Sequence, residues 1–142
     1  MEYKGVNVAR RFFVRFRKDE DLLNGIYEVI RREGIKSGSI YLIGGLKKVS
    51  YGLYLGGEYK RMEKEGGFEL LPSHGNITEK DGEPFVHLHI SVADCNEGGR
   101  VWGGHAMEGC VVFPLAEVMI EEFNTMIRRV FEPDINLWAV KA

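Results

Sequence analysis

Cysteine is scarce in this chain: Cys95 and Cys110 are the only two among its 142 residues. Two isolated cysteines cannot build a disulfide framework or a four-thiolate zinc module, and no Cys-x-x-Cys pair occurs. An excess of charge is also missing. Nineteen basic side chains stand against 21 acidic ones, a net charge of −2. Proteins that live on nucleic acid usually carry a strongly basic balance or face, because phosphate contacts dominate their affinity, so the total gives that class no support. No apolar run approaches the roughly 20 residues needed to span a bilayer. Lys4, Arg10 and Arg11 sit among only short apolar stretches, which is not the pattern of a secretory signal. The expectation is a reduced, cytoplasmic protein without membrane contact. With 44% hydrophobic and 28% charged residues, and no linker, repeat or low-complexity block, residues 1–142 read as one domain with its own core.

Residues 8–17 alternate in period two. Phe12, Val14 and Phe16 fall on one face and Arg11, Arg15 and Arg17 on the other, with Phe13 the exception, which predicts a half-buried strand. Asp19 then offers a helix N-cap. Leu22, Leu23, Ile26, Val29 and Ile30 recur at helical spacing, Arg31 and Arg32 suit the negative end, and Gly34 is placed to stop the helix. Strands are expected over 39–43, 48–55, 67–71, 85–92, 101–112 and 117–123. Turns are expected over 76–82 and 94–99, and 135–140 reads as a possible last strand after Pro133-Asp134. Paired glycines (44-45, 56-57, 66-67, 98-99, 103-104) suggest bulges, tight turns or closely packed backbones. The sum is an α+β domain: a mostly antiparallel sheet packed by one main helix.

Three of the four histidines fall in a short stretch, Val86-His87-Leu88-His89-Ile90 and then Gly103-Gly104-His105. Residues two apart on a strand share a face, so His87 and His89 point together while Val86, Leu88 and Ile90 point oppositely. Such a pair, joined by His105 from a neighbouring strand, makes the open three-ligand arrangement of catalytic zinc sites. Gly103 and Gly104 would let the second strand come close. The other reading of the pair is a solvated polar face or core histidines bonded to carbonyls. Asp94 and Glu108 are near enough in sequence to orient the imidazoles, or to serve as turn and surface charges. His74 reads as a turn residue or hydrogen-bond donor rather than a fourth ligand.

A set of linked motifs then points to a family. Gly66-Gly67-Phe68-Glu69-Leu70-Leu71, Gly75-Asn76-Ile77, Gly82-Glu83-Pro84, His87-Leu88-His89, Val92-Ala93-Asp94, Gly103-Gly104-His105 and Glu117-Val118-Met119-Ile120 occur in the order of the PPC domain, and the chain resembles that family from about Val8 to Phe123. Upstream, Asp19-Glu20-Asp21-Leu22-Leu23 and Ile43-Gly44-Gly45-Leu46 resemble its entry helix and following glycine turn. The resemblance implies a stand-alone prokaryotic member and a homotrimer built on an antiparallel sheet. It also implies a predicted DNA-binding or regulatory role. The three-histidine pattern is similar to that of acetolactate decarboxylase, which implies a Zn2+ ion on His87, His89 and His105.

One departure concerns nucleic acid. The Arg-Gly-Arg-Pro core of the AT-hook that accompanies plant PPC domains is absent. What remains for DNA is the arginine face of the first strand, Arg11, Arg15 and Arg17, within a segment 1–18 of net charge +5. That face reads either as a phosphate-binding stripe or as a solvated or inter-subunit face paired with acidic neighbours. The functional expectations are therefore a metal-binding homotrimer acting as a regulatory, DNA-binding module, or a zinc-dependent enzyme taking a small-molecule ligand at the metal. A purely structural metal is a third. An enzyme would want a carboxylate for proton transfer. Glu69, Glu83, Asp94 and Glu108 are candidates, with Glu69 preferred because it faces opposite to Phe68 and Leu70.

Overall fold

The structure, a computed structural model, describes residues 1–141. Its elements are β1 (Val8–Arg17), α1 (Leu22–Glu33), β2 (Gly38–Leu55), β3 (Glu58–Lys80), β4 (Glu83–Asp94), β5 (Arg100–Ala106), β6 (Val111–Phe123), β7 (Arg128–Glu132) and β8 (Leu137–Lys141). The α+β expectation holds as mostly antiparallel strands with one helix. A single open sheet is too simple a description, however. β2 pairs β3, β3 pairs β4, β4 pairs β5, and β5 returns to β2 through Tyr51↔Ala106 and Gly52↔His105, so these strands close a ring. The first half of β2 also pairs β6, which pairs β1, and the β7–β8 hairpin joins β3 by one parallel pairing, Glu79↔Arg128.

Helix α1 forms where the periodicity predicts and buries Leu22, Ile26 and Ile30. Its cap differs from the sequence reading. Asp21, not Asp19, is the N-cap and accepts from the Asn24 backbone N–H at 3.0 Å, while Asp19 sits in the preceding turn and pairs with Lys47. Gly34 stops the helix in the left-handed conformation (φ 69°), as only a residue without Cβ does freely.

Most strands run longer than the pattern suggests, but the expected strand 101–112 is split by a turn, β5 ending at Ala106 and β6 beginning at Val111. β2 passes through Gly44-Gly45 and β3 through Gly66-Gly67 without ending, because the β2 pairings shift register near these positions instead of stopping. The segment 76–80, expected as a turn, belongs to β3. The reversal is confined to Asp81 and Gly82, both at positive φ (53° and 85°), the two-residue turn that matches strand twist. The turn after Asp94 is as expected.

One face of the strands makes the core. Ile40, Leu42, Leu46, Val49, Phe68, Leu70, Ile77, Leu88, Ile90, Val92, Val112, Val118 and Ile120 close on the helix face. The alternate positions point outward, and these carry the chemistry. Among the described residues no helix is long and apolar enough to cross a membrane.

Candidate metal centre

Strand alternation places the histidines. On β4, Val86, Leu88 and Ile90 are buried, which leaves His87 and His89 on the outer face. His89 is the register partner of His105 on β5. Two glycines permit the close approach. A Cβ on Gly103 would lie 2.2 Å from the Ile90 carbonyl oxygen of β4, and one on Gly75 would lie 2.1 Å from the His87 carbonyl oxygen. No side chain fits at either place, so β3, β4 and β5 meet at backbone contact beneath the imidazoles.

The rings converge. His87 Nε2 lies 3.2 Å from His89 Nε2, and His89 Nε2 lies 3.1 Å from His105 Nδ1. All three ligand atoms fall within 4.8 Å of one another. Nitrogens at about 2.0–2.1 Å around a tetrahedral zinc stand about 3.3 Å apart, so the two short separations are those of adjacent ligands on one ion. Burial pushes the His87 imidazole down to about 4, with neighbouring His105, Arg129 and His89 adding to the effect. Burial likewise lowers His105, with contributions from His89 and Arg129. Neutral imidazole is the form that binds a cation, and burial favours it at these two rings. The donor set and spacing fit a resident metal.

Around the cluster stand residues that the sequence reading did not single out for the site. Arg129 on β7 places Nη2 3.1 Å from His87 Nδ1 and 3.1 Å from Asn76 Oδ1; its Nε donates to Thr78 Oγ1 at 2.9 Å and Nη1 to the Trp138 carbonyl at 2.8 Å. Guanidinium can only donate, so His87 Nδ1 accepts and its Nε2 carries the proton that is shared toward His89. The Tyr59 ring packs on His105 with centroids 4.7 Å apart. Asn76, read from sequence as a turn residue, is the strand partner of His87. Its place in the quoted Gly75-Asn76-Ile77 motif was the available signal. Arg129 had none, since its segment showed no clear period.

The remaining candidates lie elsewhere. His74 is on β3 rather than in a turn. It is the strand partner of His89 but packs its ring toward Tyr41, with centroids 6.3 Å apart, and is no member of the ligand group. Glu69 is exposed between buried Phe68 and Leu70, as its alternation requires, and lines a different cleft with Gly45, Cys95 and Phe113. Asp94 is buried, accepts from the Asn96 backbone N–H at 2.9 Å and pairs with Lys64; it caps its turn and does not orient an imidazole. The Glu108 carbonyl holds Arg61, and Glu83 is an exposed strand end. Among the described residues no carboxylate joins the ligand group. On β1, Arg11 pairs with Glu121 at 2.9 Å and Arg10 with Glu122, while Arg15 and Arg17 are exposed.

The structure is a strand ring with a three-histidine cluster, of a geometry that could hold a metal ion, on its outer face next to an arginine-bearing hairpin. The chain belongs to the family of the Plants and Prokaryotes Conserved (PCC) domain, which matches residues 3–124. It is similar to a plant- and prokaryote-conserved (PPC) protein from Pyrococcus horikoshii, 36% identical with a TM-score of 0.85, covering 98% of this chain and 97% of that one. It is also similar to a metal-containing protein from Archaeoglobus fulgidus, at 26% identity and TM-score 0.89 over 100% of both chains. A candidate DNA-binding protein from Bacteroides thetaiotaomicron shares the fold at 20% identity, TM-score 0.86, over 96% of each chain. Among curated proteins, a bifunctional protein GlmU of Synechococcus is 28% identical over 114 residues, 80% of this chain. The chain spans only 17% of that protein's length.

Proposed function

We propose that this PCC-domain chain binds a divalent metal ion, zinc, through His87, His89 and His105, and works as a metal-loaded binding or regulatory module in the cytoplasm. The observation that carries the reading is the convergence of the three ring nitrogens, with adjacent separations of 3.2 and 3.1 Å. Three imidazoles without thiolate or carboxylate favour zinc over the hard cations. The metal-containing relative from Archaeoglobus fulgidus, similar over its whole length, supports it. When bound, such an ion would act as a Lewis acid and lower the pKa of a coordinated water. The chain's own part is to hold His87, His89 and His105 on adjoining strands and to leave His89 exposed to solvent. Equilibrium titration of metal-free protein with zinc tests the reading: one site per chain is expected, lost in His89→Ala.

The homotrimer is proposed with it. Phe13 (67% exposed), Tyr41 (50%) and Ile43 (48%) form an apolar cleft with Pro72 and Met119 on the outer face of β1, β6, β2 and β3. A patch of this kind on a small domain is the mark of a surface that associates, and a second copy is the proposed occupant. For nucleic acid, the support is the name of the Bacteroides relative and the exposed Arg15 and Arg17. Arg11 is engaged with Glu121 and is left out of that proposal. A salt titration of duplex binding decides it, since affinity through phosphates falls steeply with added salt.

A zinc-dependent enzyme is the second reading. A cleft lined by His74, Gly75, Asn76, His87 and His89 opens beside the cluster and favours entry of a small molecule. Glu69 does not line that cleft, so a proton-transfer group would have to come from elsewhere or from the ligand.

A further inference from the structure

The cleft beside the histidines has a volume of about 200 Å³, the size for a few heavy atoms, and none of its five lining residues is acidic. Asn76 is held in one orientation. Its Oδ1 accepts from Arg129, so its amide nitrogen is left to donate and has no acceptor among the described residues. Arg129 is half-buried, and among the described residues no carboxylate pairs with it. A cation and an amide donor thus stand where a divalent ion would add further positive charge, with no anion among the described residues to balance them.

The hydrogen bond between Arg129 and His87 adds a second argument. A histidine that binds metal through Nε2 in the neutral form carries its proton on Nδ1 and normally donates it to an acceptor. Here the group facing His87 Nδ1 at 3.1 Å is itself a donor. Metal loading on Nε2 would therefore set two donors, His87 Nδ1–H and Arg129 Nη2–H, against each other, and both would want one acceptor between them. Arg129 keeps its bonds to Thr78, Asn76 and the Trp138 carbonyl, so an acceptor would take the place of its contact with His87 alone while the other bonds hold the guanidinium nearby.

Resting on the metal reading above, we propose an oxyanion site at the edge of this cleft: a small carboxylate or a tetrahedral oxyanion binds the Asn76 amide, beside Arg129, which lies outside the cleft lining but bonds both Asn76 and His87, and it binds cooperatively with the metal on His87, His89 and His105. The ligand class of the protein is thereby a small anion rather than a neutral or cationic molecule.

Zinc affinity is measured by competition with a chromophoric chelator in buffer free of oxyanions, then with acetate or with sulfate added. The proposal expects at least about a fivefold tightening of zinc in one of the two arms, and the arm that responds tells planar carboxylate from tetrahedral anion. Arg129→Gln should lose the tightening. Because that change could also disturb the hairpin, Asn76→Asp is the companion variant: it supplies the negative charge in place, so it should bind zinc more tightly than the parent without added anion and respond to none. Zinc bound at an unchanged affinity in both arms would overturn the oxyanion site and leave the metal reading standing. No zinc binding in any arm would overturn both.

Discussion

His74 and His89 face each other as register partners across β3 and β4. The row they share continues to both sides. Phe13 pairs Met119, Met119 pairs Tyr41, and Tyr41 pairs His74; beyond His89 comes His105. Side chains opposite one another in antiparallel strands lie on the same face. The apolar patch proposed for self-association and the histidine cluster are therefore two ends of one outward row, and His74 is the link between them.

This contiguity predicts that assembly and metal site are neighbours. Phe13→Glu, a charge placed in the apolar patch, should convert the assembly to monomer in sedimentation velocity without unfolding the chain. If the variant sediments like the parent, the patch is not the interface.

Substitution of the central histidine separates site from fold. His89 is exposed and lies within hydrogen-bonding distance of both other ligands. His89→Ala should weaken zinc by more than about 100-fold, since changes to residues that merely support a metal ligand already cost 10- to 100-fold. The thermal midpoint of the metal-free protein should move little, because no buried contact is removed. A large drop in the metal-free midpoint would mean that His89 serves the core instead.

Acid should act on the metal-free protein through His87. Its imidazole is held at about 4 in the fold, against an ordinary value of 6.5. The unfolded chain therefore takes up this proton first as pH falls. The stability tied to neutral His87 is complete above pH 6.5 and is lost as pH drops from there toward about 4. Thermal melts across that window should show the decline. His87→Gln should flatten it in part, with His105 supplying the rest.

The backbone contact under the imidazoles is testable by one added methyl group. Gly103→Ala would bring a Cβ to 2.2 Å from the Ile90 carbonyl oxygen, where only backbone can move. A loss of about 2–3 kcal/mol in urea unfolding is expected, together with weaker zinc binding. Gly5→Ala, with nothing within 4 Å of the new Cβ, is the control and should be neutral.

Much of this was legible in the sequence because alternation is a local signal. The pattern Val86-His87-Leu88-His89-Ile90 decides which residues face the core without knowledge of any partner strand, and the helix from Leu22 with its Gly34 stop is equally local. Strand length was less legible. Gly44-Gly45 and Gly66-Gly67 look like breaks, yet cross-strand pairing carries the chain through them as bulges. The ring closure through Gly52↔His105 joins positions far apart in sequence, and no local pattern encodes it. Arg129 escaped notice for the same reason: a short hairpin after Pro-free, weakly periodic sequence delivers it to His87 from 42 residues away. Asn76 was misplaced by its composition, since Gly-Asn favours turns in isolation and here lies within a paired strand.

His87, His89 and His105 are proposed to hold one zinc ion. Crystals of protein purified without chelator, measured on both sides of the zinc absorption edge, test it most directly. One strong anomalous peak per chain is expected at about 2.0–2.1 Å from His87 Nε2, His89 Nε2 and His105 Nδ1. Three ordered imidazoles with no anomalous density between them, in protein grown with zinc present, would contradict it.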